Sequence, residues 1–196
     1  MILKKIMVVG LFLMPFTISA KVLVIGDSLA FPIAESLKVI IPTDGFFLES
    51  TGLNDKSTLN WFDYILTLDV TRYDNVIISL GANDGIQGND IDNYQQKAVM
   101  LIKHLQNVNE QALVTWVLPP VLEDTKKEIA VSNTRKALNH ACNATGINCF
   151  DPAVVIGHEF SYQVNGVPVR SQDGIHYTPQ GAELIVNELM GVKWKQ

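Results

Sequence analysis

Val22-Leu23-Val24-Ile25-Gly26-Asp27-Ser28-Leu29 changes character half-way along. Its first four residues are apolar and three of them β-branched, the pattern of a short strand buried on both faces. Gly26 permits a tight turn. Beyond it an apolar helical pattern begins, with Ile33, Ala34, Leu37 and Ile41 on one face and Pro32 suited to a first turn. A serine between the carboxyl end of a buried strand and a helix N-terminus stands where open α/β sheets bind ligands, close to backbone N–H groups that suit an anion. Taken alone, Ser28 is a turn or cap residue. It becomes a candidate nucleophile if a base and oxyanion donors occur elsewhere in the chain.

Outward from that stretch, strand-like runs are expected at 22–25, 45–48, 76–80, 112–118 and 147–150. Helical patterns fall between them, at 32–41, about 59–68, 90–108 and 126–143. A last helix starts at Thr178-Pro179, with threonine as N-cap and proline at the first helical position. Strands alternating with helices predict parallel βαβ units and an open sheet covered on both faces.

The run 76–80 ends in Gly81-Ala82-Asn83-Asp84, and Asp173-Gly174-Ile175-His176 follows near the C-terminus. A glycine after the second strand, Gly52, lies in Glu49-Ser50-Thr51-Gly52-Leu53. Gly-Asp-Ser-Leu, a glycine, Gly-x-Asn-Asp and Asp-x-x-His, in that order, resemble the blocks of the GDSL/SGNH hydrolase superfamily. The resemblance runs from residue 21 to about 190. It implies a flavodoxin-like three-layer α/β/α sandwich around five mainly parallel strands, an order of strands that periodicity alone does not give.

The resemblance also implies the roles. Ser28 would be the nucleophile, His176 the base that activates it, and Asp173 the carboxylate that orients the imidazole. The oxyanion donors would be the Ser28 and Gly52 backbone N–H groups and the Asn83 side-chain amide. The chemistry agrees: glycine admits a close backbone approach, and asparagine offers a neutral donor. Asp27 and Asp84 are expected to brace the two loops through hydrogen bonds to backbone, and Gln87 to face substrate. No cofactor and no metal is implied. His104, His140 and His158 match no ligand spacing, and Gly-x-Gly-x-x-Gly is absent. Of Trp61, Phe62 and Tyr64, at least two are expected in the core, leaving one at most to floor a substrate site.

Residues 1–20 read as a signal peptide: Lys4 and Lys5, an apolar stretch from Ile6 to Phe16, then Ile18-Ser19-Ala20 before the cut. Left uncleaved, that segment would be the one membrane anchor. Residues 21–196 are then one domain, with a periplasmic or secreted location. A net charge of −5 and a pI near 5.3 argue against nucleic acid or anionic lipid as partner. The two cysteines, Cys142 and Cys149, read as one disulfide in an exported chain.

Similarity of Ser-Thr-Gly-Leu, Trp-Phe-Asp-Tyr and Gly-Ala-Asn-Asp-Gly-Ile-Gln to a small exported branch of the superfamily points to cell-envelope polysaccharides. The expectation is a monomeric serine esterase that removes O-acyl groups, O-acetyl first among them, from envelope glycans. The alternatives are a lysophospholipase or thioesterase, an O-acyltransferase to polysaccharide, and a glycan-binding module without activity. Short loops predict a shallow site without a long apolar groove.

Overall fold

A computed structural model describes residues 20–54 and 58–191. All of the expected signal peptide except Ala20 lies outside them, as do the last five residues of the expected domain.

The run 22–25 forms β1 (Val22–Gly26), with every residue buried. The helix after it, α1 (Ala30–Lys38), starts two residues before its apolar pattern and holds Pro32 in its first turn, where a missing N–H costs nothing. Then follow β2 (Thr43–Phe47), α2 (Trp61–Ile65), β3 (Asn75–Ser79), α3 (Ile91–Val108), β4 (Leu113–Val117), α4 (Thr125–Thr145) and β5 (Asn148–Phe150). A short α5 (Ala153–Ile156), the strands β6 (Gln163–Val164) and β7 (Val167–Pro168), and α6 (Pro179–Gly191) complete the chain.

Five strands pair in the order β2-β1-β3-β4-β5, all parallel, the flavodoxin-like arrangement. Alternate residues serve opposite faces. Val22, Val24, Ile77 and Val117 pack under α1, α5 and α6. Leu23, Ile25, Val76, Ile78 and Trp116 pack under α2, α3 and α4. Burial on both faces is why β1 and β3 read as unbroken apolar runs. The chain reverses direction across the sheet between β1 and β3, and the crevice above that switch point is the ligand position of such sheets.

Three departures have local causes. The helix expected over 59–68 shrinks to α2, where Asn60 caps the start by accepting from the Phe62 and Asp63 N–H groups. Its apolar continuation turns away and re-forms as a 3-10 turn at Val70–Arg72. The antiparallel β6–β7 pair is an element beyond those expected; Asn165-Gly166 between the strands adopts the positive φ angles of 51° and 80° that such hairpin turns demand. Cys142 at the end of α4 and Cys149 in β5 form the expected disulfide, with Cα atoms 5.8 Å apart. Among the described residues no helix is long and apolar enough to cross a membrane.

Candidate active site

The loop after β1 is fixed from three sides. A Cβ at Gly26 would lie 2.0 Å from the Ser79 carbonyl oxygen, so the close approach of β1 and β3 there requires glycine. The Asp27 N–H donates to the Ser79 carbonyl (3.0 Å), the Asp27 carboxyl accepts from the Leu29 N–H (2.9 Å), and its carbonyl accepts from the Ala30 N–H (3.0 Å). Ser28 is thus held at the mouth of the sheet by the residues on either side of it.

Asp27 itself is fully buried. Burial pushes its carboxyl up to about 7 against the restraining Leu29 amide, with the charge of Asp84 raising it further and the amides of Ala82 and Gly81 lowering it. Its Oδ2 is buried and has no partner at hydrogen-bonding geometry among the described residues.

Ser28 Oγ lies 2.8 Å from His176 Nε2, and His176 Nδ1 lies 2.7 Å from Asp173 Oδ2. Asp173 Oδ1 accepts from the backbone N–H groups of Ile175 (2.8 Å) and His176 (2.9 Å). Desolvation raises the Asp173 carboxyl, but the bonds from the His176 ring and from the two amides outweigh it and bring the group down to about 2. An ionised acceptor at Nδ1 assigns the proton to that nitrogen and leaves the Nε2 lone pair facing the serine hydroxyl. The arrangement can take a proton from Ser28 Oγ.

The turn that carries Asp173 and His176 rests on a residue that sequence reasoning missed. Arg170 is 4% exposed. Its guanidinium donates to the backbone carbonyls of Val121 (3.0 Å), Gly174 (3.3 Å) and Ile175 (2.6 Å). It also lies over the rings of Phe160 and Tyr177, 5.3 Å and 5.5 Å from their centroids. Burial lowers the affinity of this guanidinium for its proton. Nothing in the residues around it distinguishes Arg170 from a solvated arginine; carbonyls from two stretches, at 121 and at 174–175, make the site, and only the folded chain brings them together.

The loops after β2 and β3 are stitched together. Asn83 Nδ2 donates to the Thr51 carbonyl (3.0 Å), while the Asp84 carboxylate accepts from the N–H groups of Leu53 (3.1 Å) and Asn54 (3.0 Å) and from the Tyr94 hydroxyl. Asn54 Nδ2 returns a bond to the Asp84 carbonyl (2.6 Å). Trp116 on β4 donates to the Leu80 carbonyl (3.1 Å) and steadies the turn that leads to Asn83. Gly52 and Asn83 therefore belong to one braced unit, and Asp27 and Asp84 do bond to loop backbone.

Trp61 is buried, its Nε1 donating to Thr51 Oγ1 (3.2 Å), and Tyr64 stands edge-on to it. Phe62 borders a cavity of about 560 Å³ with Asn60, Asn93 and Gln96 on the α2–α3 side. Gln87 is exposed and lines neither that cavity nor the one at Ser28. His104 is half-buried, His140 and His158 are exposed, and no three potential metal ligands gather among the described residues.

The expected shallow site is not what the fold builds. Ser28 and His176 open into a groove of about 920 Å³ with a largely apolar lining, including Phe31, Val39, Ile40, Phe47 and Val186. The outward face of α1 and the residues just past its end create it: Phe31 in the helix and Val39 after it stand where a solvated surface would carry polar residues.

The family described as "Protein of unknown function (DUF459)" matches residues 21–192. No curated protein matches the chain. A protein assigned to the lipolytic G-D-S-L family, from Desulfitobacterium hafniense, is similar in structure with a TM-score of 0.68 at 17% identity, over 89% of this chain and 99% of that one. The lipase/acylhydrolase from Enterococcus faecalis superposes with a TM-score of 0.62 at 16% identity, over 90% and 99% of the two chains. An acetyl xylan esterase from Geobacillus stearothermophilus gives 0.62 at 13% identity, over 88% and 93%. At these identities the likeness establishes the fold, which is that of the GDSL/SGNH hydrolases.

Proposed function

We propose that this chain, which belongs to the DUF459 family, is a serine esterase working through an acyl-enzyme on Ser28. The observation that carries the reading is the unbroken hydrogen-bonded chain from Ser28 Oγ through both His176 nitrogens to Asp173. Ser28 Oγ attacks the ester carbonyl as its proton passes to His176 Nε2, and the imidazolium is stabilised by ionised Asp173. The tetrahedral oxyanion takes hydrogen bonds from the Ser28 and Gly52 N–H groups and from the Asn83 amide. His176 then returns the proton to the departing alkoxide, which leaves as the alcohol. Water, activated by the same imidazole, attacks the acyl-enzyme and releases the acid.

Similar structures named as an acylhydrolase and an acetyl xylan esterase support ester hydrolysis and a carbohydrate on the alcohol side. The reading of residues 1–20 as a leader supports a periplasmic or secreted enzyme acting on acylated envelope glycans. A metal and a cofactor have no part in the scheme.

Ser28→Ala tests it. The variant loses turnover of p-nitrophenyl esters and loses covalent labelling by a fluorophosphonate, while its circular dichroism stays that of the parent. An Ala variant that keeps most of its turnover removes the assignment.

A further inference from the structure

We infer that the apolar groove along α1 holds the acyl chain of the ester, so that the preferred substrate carries a medium-length acyl group in place of acetyl; this rests on the esterase reading of Ser28. Three observations carry it. First, the groove and the proposed nucleophile are continuous: Ser28 lies two residues before α1, and the lining extends from it along the helix and past its end to Val39 and Ile40. Nine residues of helix at a rise of about 1.5 Å give a path of roughly 13 Å, far longer than an acetyl group needs.

Second, the path is apolar where water would otherwise be its neighbour. Val39 is 84% exposed, Ile40 55% and Phe31 48%. Phe31 packs against Phe47 of β2 with ring centroids 5.1 Å apart, making one wall, and Val186 of α6 belongs to the other side. Contiguous exposed apolar surface beside a reactive group is the mark of a binding site.

Third, the charge along the border selects the kind of occupant. The exposed carboxylates of Glu35, Glu49 and Glu183 line it, and Glu35 is paired with Lys38 (2.6 Å). An acidic border opposes an anionic ligand and admits the neutral chain of an ester. It also opposes retention of the carboxylate that hydrolysis leaves behind, which favours release of the acid after each turnover.

The test is kcat/KM for acetyl, butyryl and octanoyl p-nitrophenyl esters, measured on the purified protein and on two groove variants. Burying a methylene gains up to about fourfold, so even partial burial raises the octanoyl-to-acetyl ratio above about tenfold. Ser36→Trp, which fills the middle of the groove, brings that ratio down towards one. Val39→Asn, at a position too exposed to endanger folding, lowers it severalfold. A ratio at or below one in the parent overturns the proposal and leaves the esterase reading standing. A high ratio that neither variant changes also overturns it, since the chain then lies elsewhere. Turnover of no ester, with no labelling by fluorophosphonate, removes both readings together.

Discussion

Gly52 lies so close to the Asp84 carboxylate that a Cβ on residue 52 would stand 2.1 Å from Asp84 Oδ1. The same carboxylate holds the amides of Leu53 and Asn54, so the loop after β2 is drawn onto the loop after β3. Gly52→Ala must push the two apart. Hydrogen bonds to a charged acceptor contribute about 1.5–3 kcal/mol each, and the variant is expected to lose stability on that scale. Its kcat should fall further than its melting temperature alone explains, because Asn83 moves with Asp84. Thermal melts beside ester kinetics check both parts; an alanine variant with parental kcat would separate this loop from catalysis.

Asn83→Ala isolates one oxyanion donor. The amide is exposed and already oriented by the Thr51 carbonyl. Its bond to substrate would strengthen as charge develops on the oxygen, so the loss should appear in kcat, by about 100- to 1000-fold, with little change in KM. A change confined to KM would make Asn83 a substrate-positioning residue.

Asp27 gives the fold a pH dependence of definite sign. The folded chain keeps the Asp27 proton up to about 7, whereas the unfolded chain releases it near the ordinary 3.8. The associated stability is complete below 3.8 and is lost as pH rises to about 7, a change on the order of 4 kcal/mol. Asp27→Asn cannot lose a proton. Its melting temperature should gain on that of the parent between pH 4 and pH 8, and parallel profiles of melting temperature against pH would refute the assignment.

The Cys142–Cys149 disulfide closes a loop with a sequence separation of 7 and should contribute about 2.5 kcal/mol in the chain-entropy model. It sits at β5, three strands from β1. Replacing both cysteines by serine should therefore lower the melting temperature and leave kcat/KM for a short ester unchanged. Intact mass without reduction would show two free thiols if the bridge does not form in the purified protein.

Much of this architecture was legible in the residues because β1 and β3 are buried on both faces. That environment writes itself as unbroken Val/Ile/Leu runs, and the turns that end them, Gly26-Asp27-Ser28 and Gly81-Ala82-Asn83, carry the polar groups. Asp173 and His176 were readable for a similar reason: a spacing of three lets one turn present both side chains. Arg170 was not readable, since its partners are backbone carbonyls that have no signature in sequence. The groove is not legible in the sequence because Phe31 lies off the periodic inner face of α1, and Val39 and Ile40 follow its last turn, where scattered apolar residues ordinarily mean nothing.

Ser28 and His176 are separated by 148 positions yet meet at 2.8 Å. Synthesis from the N-terminus exposes the serine well before the turn that bears the histidine. Until the turn of residues 173–176 is in place, the hydroxyl has no base beside it. On the proposed reading, a copy in which that turn has not yet formed lacks the base that would activate Ser28.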